Sequence, residues 1–481
     1  MTPLHTVGVA LPRILYGADI WCGPPKNTHT EVKNQGTSRI INQLTTIQHS
    51  RTLAITGGLH TSPTDTLDAC TFLLPLSLMV ERWSLHAAVR LTSSPPEHPL
   101  YKPVKHVYSK NAKRHRSPLH LLLGPIDFNP KLIKKISAKP RNPALTGKLP
   151  FTVSIVLSKQ TSVAKDCYAQ ESVRIYTDRS AHNGKVGTAA ILMQPDKLHR
   201  ILHYHLGSDK QHTVHEAENI GILLALHLIF TERSRNRTFM IGTNNQVALE
   251  AFNSNLRSPA HHISREALHL GNMISKHSKG WNYTLMLHWT AGHAGILGNE
   301  LADKEAKKAA LGLITSDKKL LPSYLRHDLL TNPTAVIQHK NSGTKQKWFK
   351  KWKKSKRGCK LANLGYSTPF INLTRTISSA NISRRSASLV MQILLNHVPL
   401  NSYLHKFKTI DSARCPVCGA VSETARHFLL ECPIYVHERW ILEKGLRKGN
   451  KALMLRNLPE DAESIGLLIN YVNATHCFQP T

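Results

Sequence analysis

Between Val173 and Ala310 the hydrophobic period switches repeatedly, and the order of the switches limits what the chain can fold into. "VRIYTD" (173–178) alternates like a pleated strand, and "VGTAAILM" (186–193) and "RILHYHLG" (200–207) read as a second and a third. "AENIGILLALHLIF" (217–230) is a strongly apolar helix, while "TFMIGTN" (238–244) and "TLMLHWT" (284–290) return to strand with a helical stretch between them. "GNELADKEAKKAA" (298–310) opens a last helix. Side chains alternate across a strand and recur every 3.6 residues around a helix, so the period identifies the element. Three strands, a helix, a strand, a helix, a strand and a helix predict a compact α/β domain of five strands with flanking helices.

Acidic residues are scarce, and three of them stand at the corners of this pattern. Asp178 ends the first strand, Glu218 lies in the first turn of the apolar helix, and Asp303 lies near the start of the last helix. Strand ends and helix starts converge on one edge of a sheet, so the three carboxylates can share a site. Clustered carboxylates repel unless cations hold them, and Mg²⁺ (or Mn²⁺) is the natural ion because it is hard and takes oxygen and phosphate ligands. Two such ions about 4 Å apart activate a water and stabilise the leaving oxygen in phosphodiester cleavage. Taken singly, each acid also reads as a helix cap or dipole partner.

Charge names the partner class. The chain has 481 residues, 63 Lys plus Arg against 30 Asp plus Glu, and a formal net charge of +33. Such a surplus points to a polyanion, nucleic acid first, over a merely soluble basic protein. No apolar run reaches the ~18 residues of a membrane span. Pro12 and Arg13 break the N-terminal apolar run, which makes a poor signal peptide, so an intracellular setting, nucleus or cytoplasm, is expected. No small-molecule cofactor is expected, and the oligomeric state is not legible.

With these residues in place, 173–312 resembles the type 1 ribonuclease H fold, which implies a five-stranded mixed sheet with flanking helices. "IYTDRSAHNGKVGTAAIL" is similar to the first motif, usually T-D-G-S, and "HEAENIGILLAL" to the helix motif with the second acid, where Glu216 and Glu218 compete and Glu218 matches. "IGTNNQVAL" resembles the third motif, usually T-D-x-Q, and "HWTAGHAGILGNELAD" the last, a G-H-x-G loop followed by N-E-x-A-D. The resemblance implies hydrolysis of the RNA strand of RNA–DNA hybrids. Asp178 would bridge both metals, Glu218 would ligate one and sense the RNA strand, Asp303 would hold the ion nearer the attacking water, and His293 would assist proton transfer or product departure. Strand discrimination would rest on 2′-hydroxyl contacts. Two positions depart from the pattern: Arg179 stands where glycine is usual, and Asn244 where the third aspartate is usual. Asn244 completes the magnesium ligand set with an amide oxygen but no charge, so a weaker second metal and a large loss of rate are expected. A decayed domain that binds nucleic acid without cutting it is the alternative.

The flanks add chemistry. "CPVCGAVSETARHFLLEC" holds Cys415, Cys418, His427 and Cys432, a closed tetrahedral zinc set in a helical module, over the alternative of buried thiols and an unrelated histidine. It resembles the terminal zinc-binding segment of non-LTR retrotransposon polyproteins and reads as a structural or nucleic-acid-binding module. "KQKWFKKWKKSKRGCK" (345–360) interleaves Trp348, Phe349 and Trp352 with Lys345, Lys347, Lys350, Lys351, Lys353 and Lys354. This suits phosphate binding with base stacking as well as it suits a helix with its tryptophans packed inward. "LYGADIWCGPP" (15–25) and the helices after it resemble the end of a retrotransposon reverse transcriptase, its connection and thumb region; no Y-x-D-D motif occurs, so polymerase activity is not expected. The expected organisation is a helical remnant at 1–110, a basic Pro-containing linker at 111–169, the ribonuclease H-like domain at 170–312, a basic linker at 313–380, the zinc segment at 381–445 and a tail at 446–481.

Overall fold

A computed structural model describes residues 6–22, 35–109, 117–136, 149–156, 158–168, 171, 173–195, 197–232, 238–253, 260–278, 283–363 and 373–478. The "GPP" after Cys22 and the basic "KNAKRHR" (110–116) lie outside them. The chain forms two compact units, one of Met1–Ala87, Lys113–Pro125 and Asn341–Thr481, the other of Ala88–Ala112 and Ile126–Lys340.

The N-terminal helices follow the sequence pattern: α1 (Gln35–Thr56), α2 (Thr64–Thr71) and α3 (Leu76–Thr92). Pro63 and Pro75 each precede a helix and accept its first hydrogen bonds through their carbonyls, as a residue that cannot continue a helix but can start one should.

The second unit is built on a sheet of β1 (Thr152–Ser154), β2 (Val173–His182), β3 (Lys185–Met193), β4 (Arg200–Ser208), β5 (Thr238–Thr243) and β6 (Thr284–Trp289). Their spatial order is β1-β6-β5-β2-β3-β4. The first four in that order pair in parallel and β2, β3 and β4 pair antiparallel. The mixed sheet is therefore six-stranded rather than five-stranded. The added strand, β1, lies in the segment read as a linker and is an edge of three residues, too short to show a period of two.

Alternation along β2 sends Val173 and Ile175 to one face and Tyr176 to the other. The first face is covered by α4 (Val214–Thr231), whose Ile220, Ile222, Leu223 and Leu224 are all fully buried. It is apolar all round because α5 (Gln246–Asn253) and α6 (His261–His277) pack on the same side. The opposite face takes α7 (Leu297–Leu311), which lies close enough that glycines are required. A Cβ on Gly187 would stand 2.2 Å from the Ala310 backbone nitrogen, and one on Gly298 2.1 Å from the Tyr176 ring.

Beyond the sheet, the residues expected as a basic linker contain α8 (Pro333–Lys354). Trp348 and Trp352 are each 3% exposed: Trp348 packs against Phe72 with ring centroids 5.6 Å apart, and Trp352 clusters with Ala69 and Leu361. Their spacing of four residues on a helix that packs on the N-terminal helices puts both indoles in the core, so stacking on bases by these two tryptophans is corrected to core packing. The six lysines between and around them are exposed. The C-terminal module contains α9 (Arg384–Leu394), α10 (Val436–Lys448) and α11 (Ala462–Ala474). Residues 446–481, expected as a tail, carry α11, whose fully buried Ile465 and Leu468 belong to the core around the cysteine cluster. Among the described residues no helix is long and apolar enough to cross a membrane.

Candidate active site

The parallel pairing of β2 with β5 puts Thr177 opposite Thr243, so the next residues, Asp178 and Asn244, stand side by side at the ends of neighbouring strands. Asp178 Oδ1 accepts hydrogen bonds from the Arg179 backbone N–H at 2.7 Å and from Asn244 Nδ2 at 3.0 Å. An ionised carboxylate only accepts. Asn244 must therefore turn its NH₂ toward Asp178 and its side-chain oxygen, the atom expected as a ligand, away from it. Trp289 Nε1 holds the corner by donating to the Asn244 backbone carbonyl at 3.1 Å.

Glu218 and Glu216 are sorted by helix capping. Thr213 caps α4: its hydroxyl accepts from the Glu216 N–H at 3.1 Å, and Glu216 Oε2 accepts from the Thr213 N–H at 2.8 Å. That reciprocal pair is a capping box, which uses Glu216 structurally. Glu218, half a turn on, is 2% exposed and faces the strand ends. Its Oε1 takes a hydrogen bond from Arg179 Nε at 2.9 Å, and Asn245 also bonds to it. Burial raises its carboxyl to about 7, against the pull of the Arg179 charge and with repulsion from Asp178. Because neighbours on a strand point to opposite faces, Asp178 faces α7 while Arg179 reaches the α4 side. Glycine at 179 would leave Glu218 open to a cation; the guanidinium fills that place.

Asp303 stands in the second turn of α7 and pairs with Lys307 one turn on, at 2.6 Å. Asp178, buried and repelled by Asp303, also has its carboxyl raised, burial being the larger cause. His293 is exposed on the loop before α7 at φ 52°, beside Gly295 at φ 76°. The loop runs past Asn244, since a Cβ on Gly292 would lie 3.7 Å from Asn244 Nδ2. Its start is pinned by Ser162, whose Oγ accepts from the Ala291 N–H at 2.9 Å.

The four positions Asp178, Glu218, Asn244 and Asp303 thus meet at one end of the sheet from four separate elements. Asn245, Ser162 and Trp289 support them and were not singled out in the sequence. For Asn245 the signal was present: an Asn directly before a helix is a common cap, and its Oδ1 accepts from the Ala248 N–H at 3.0 Å. Asp178 and Asp303, two mutually repelling carboxylates, carry the charge for one divalent ion, and the exposed Lys307 can give up its surface pair with Asp303. A second ion lacks ligands, because the buried Glu218 is held by Arg179 and Asn244 presents a donor.

The zinc residues come together. Ligand atoms of Cys415, Cys418, His427 and Cys432 all lie within 4.8 Å of one another, the one such group of three or more among the described residues. The knuckle closes because Gly419, at φ 76°, turns the chain so that its N–H reaches the Cys415 carbonyl at 3.0 Å. His427 and Cys432 follow on a single turn, with the Cys432 N–H on the His427 carbonyl at 2.7 Å. Three sulfurs and an imidazole at this closeness suit a tetrahedral Zn²⁺ with no open position.

Comparison with known proteins finds family matches over both regions of the chain. Residues 170–311 match the family model for RNase H, and residues 366–440 the model for zinc-binding in reverse transcriptase. No curated protein matches the chain. Among solved structures, RNase H1 from the halophilic archaeon Halobacterium salinarum is 14% identical, over 30% of this chain and 98% of its own, with a TM-score of 0.23. LC11-RNase H1, solved in complex with an RNA/DNA hybrid, is 15% identical over 29% and 98%, with a TM-score of 0.24. The PFV RNase H domain, a solution structure, is 19% identical over 30% and 98%, with a TM-score of 0.24. Residues 170–311 of this chain are a ribonuclease H domain, and residues 366–440 are a zinc-binding segment of the reverse-transcriptase kind.

Proposed function

We propose that the domain acts on RNA–DNA hybrids as a metal-dependent endoribonuclease that hydrolyses the RNA strand, at a rate held down by Asn244 and Arg179. The observation that carries this reading is the convergence of Asp178, Glu218 and Asp303 on one sheet end, with Asn244 in the fourth position. A divalent ion at Asp178 and Asp303 would supply the polarisation of the phosphodiester and the activation of water. Around it the chain's own groups orient the reaction. Arg179, 42% exposed at its side chain, offers its remaining N–H donors to a phosphate oxygen while Glu218 holds it in place. His293, exposed on a glycine-flanked loop, is placed to take up or release a proton at the departing strand. The exposed lysines of α8 supply sequence-independent attraction to the backbone.

A second reading, hybrid binding without turnover, is favoured by one contact, the Arg179–Glu218 pair, which occupies a metal ligand with the protein's own cation. We read the N-terminal helices and the zinc segment as further parts of a retrotransposon polyprotein, the zinc being structural.

A cleavage assay separates the readings. With Mg²⁺ or Mn²⁺ the wild-type chain cuts a labelled hybrid slowly, Asn244→Asp combined with Arg179→Gly cuts it much faster, and Asp178→Asn abolishes cutting. Equal rates for wild type and the double variant would refute the assigned roles of Asn244 and Arg179. No cutting by either, with binding retained, selects the second reading.

A further inference from the structure

The aromatic surface that the lysine-rich helix does not offer is present on α10. Its inward face is set by Leu442 and Leu446, both 1% exposed, and by Arg439, which donates to the backbone carbonyls of Leu429 and Cys432. Residues on the opposite side are His437, Trp440, Ile441, Lys444 and Lys448, and all five are exposed. Trp440 is 56% exposed and Ile441 50%. The two are adjacent, and a contiguous exposed apolar patch rimmed by polar residues marks an interaction surface.

Two geometric facts select the ligand. The His437 and Trp440 rings lie within 25° of parallel with centroids 6.5 Å apart, so the two flat rings form one aromatic surface against which a planar base can stack. Lys444 Nζ sits over the Trp440 ring, 4.9 Å from its centroid, which puts a cation on the same platform. The outward stripe holds no acid. Glu443, at its border, is paired to Arg447 at 2.6 Å, which leaves Lys444 and Lys448 to meet phosphates.

We propose that the outer face of α10 is a binding platform for single-stranded nucleic acid, with a base against His437 and Trp440 and flanking phosphates on Lys444 and Lys448. This surface is distinct from the ribonuclease H site and from the zinc ligands.

The test uses the full chain and a fluorescein-labelled oligodeoxythymidylate at near-physiological salt, where non-specific attraction is screened. Base–aromatic stacking makes Trp440→Ala bind more weakly by about tenfold, while Trp440→Phe stays within a few-fold of wild type. Lys444→Gln weakens binding less and lowers the salt slope by about one. Zinc content and the circular dichroism spectrum report whether each variant is folded. Unchanged affinity in a folded Trp440→Ala overturns the proposal. So does a Trp440→Ala variant that changes oligomeric state in sedimentation and leaves oligonucleotide affinity intact, since the face would then be a protein contact.

Discussion

Asn244→Asp should make the stability of the domain far more dependent on a divalent ion, and the size of the change follows from one contact. Asn244 Nδ2 lies 3.0 Å from Asp178 Oδ1. In the variant two carboxylate oxygens face each other across that gap. A hydrogen bond to a charged group, about 1.5–3 kcal/mol, is lost. Two unit charges centred about 4 Å apart repel by about 4 kcal/mol at an effective dielectric constant of 20. Sharing a proton relieves part of the repulsion, and Asp178 is already disposed to protonate by its burial. A net loss of about 3–5 kcal/mol is expected in metal-free buffer. For a unit of this size that lowers the melting temperature by roughly 6–15 °C. Millimolar Mg²⁺ then restores most of the loss, because an ion that binds only the folded state stabilises it by about 2.7 kcal/mol at a hundredfold excess over its Kd. Wild type should gain much less from Mg²⁺. The assay is thermal unfolding of both proteins, without chelator so that zinc is retained, with and without Mg²⁺. If the variant melts at the wild-type temperature in metal-free buffer, or if both proteins gain equally from Mg²⁺, the assignment of Asn244 as a neutral stand-in for a ligand is wrong.

Three further outcomes are expected. Glu218 is buried and its carboxyl is raised from 4.5 to about 7 in the folded chain, so the folded state holds its proton more tightly than the unfolded state. The stability this group contributes is complete below about pH 4.5 and is lost as pH rises to about 7, by about 3 kcal/mol at 1.36 kcal/mol per unit; denaturant titrations should find this slope missing from Glu218→Gln, and an unchanged slope would refute the burial argument. Gly187→Ala must push against the Ala310 backbone at 2.2 Å, which no rotamer change relieves, so the sheet–α7 packing should lose about 2 kcal/mol or more, read as a lower denaturation midpoint. Metal analysis should find about one zinc per chain and none at this site in Cys415→Ser, with the C-terminal module destabilised because zinc binding is linked to folding; a zinc-free chain with that module intact would contradict the site.

The ribonuclease H domain was legible from the strand at Val173 to the helix at Ala310 because its elements are long and their hydrophobic periods are clean. The zinc residues were legible because their chemistry depends on spacing within one short segment. β1 was not legible: three edge residues among prolines carry no period, and it exists because β6 offers an open edge to pair with. The lysine-rich tract looked equally like a stacking surface and a packed helix. Only the neighbours that cover Trp348 and Trp352, Phe72 and Ala69 among them, decide for packing. The exposed Trp440 carries no mark in the sequence that separates it from those two, since exposure depends on what lies across from each face.

For the acidic corner, the sequence by itself determined which residue types are present, and with them the missing charge at Asn244 and the extra one at Arg179. Those follow from identity and motif alone. It did not determine where these groups point. The tertiary structure decided that the Asn244 amide turns its donors to Asp178 and that Arg179 closes on Glu218; the Thr213–Glu216 capping box, by contrast, is local and within reach of the sequence. The reason is physical: hydrogen-bond direction and ion pairing at this corner are set by groups brought together from separate elements, and no local window of sequence contains both partners.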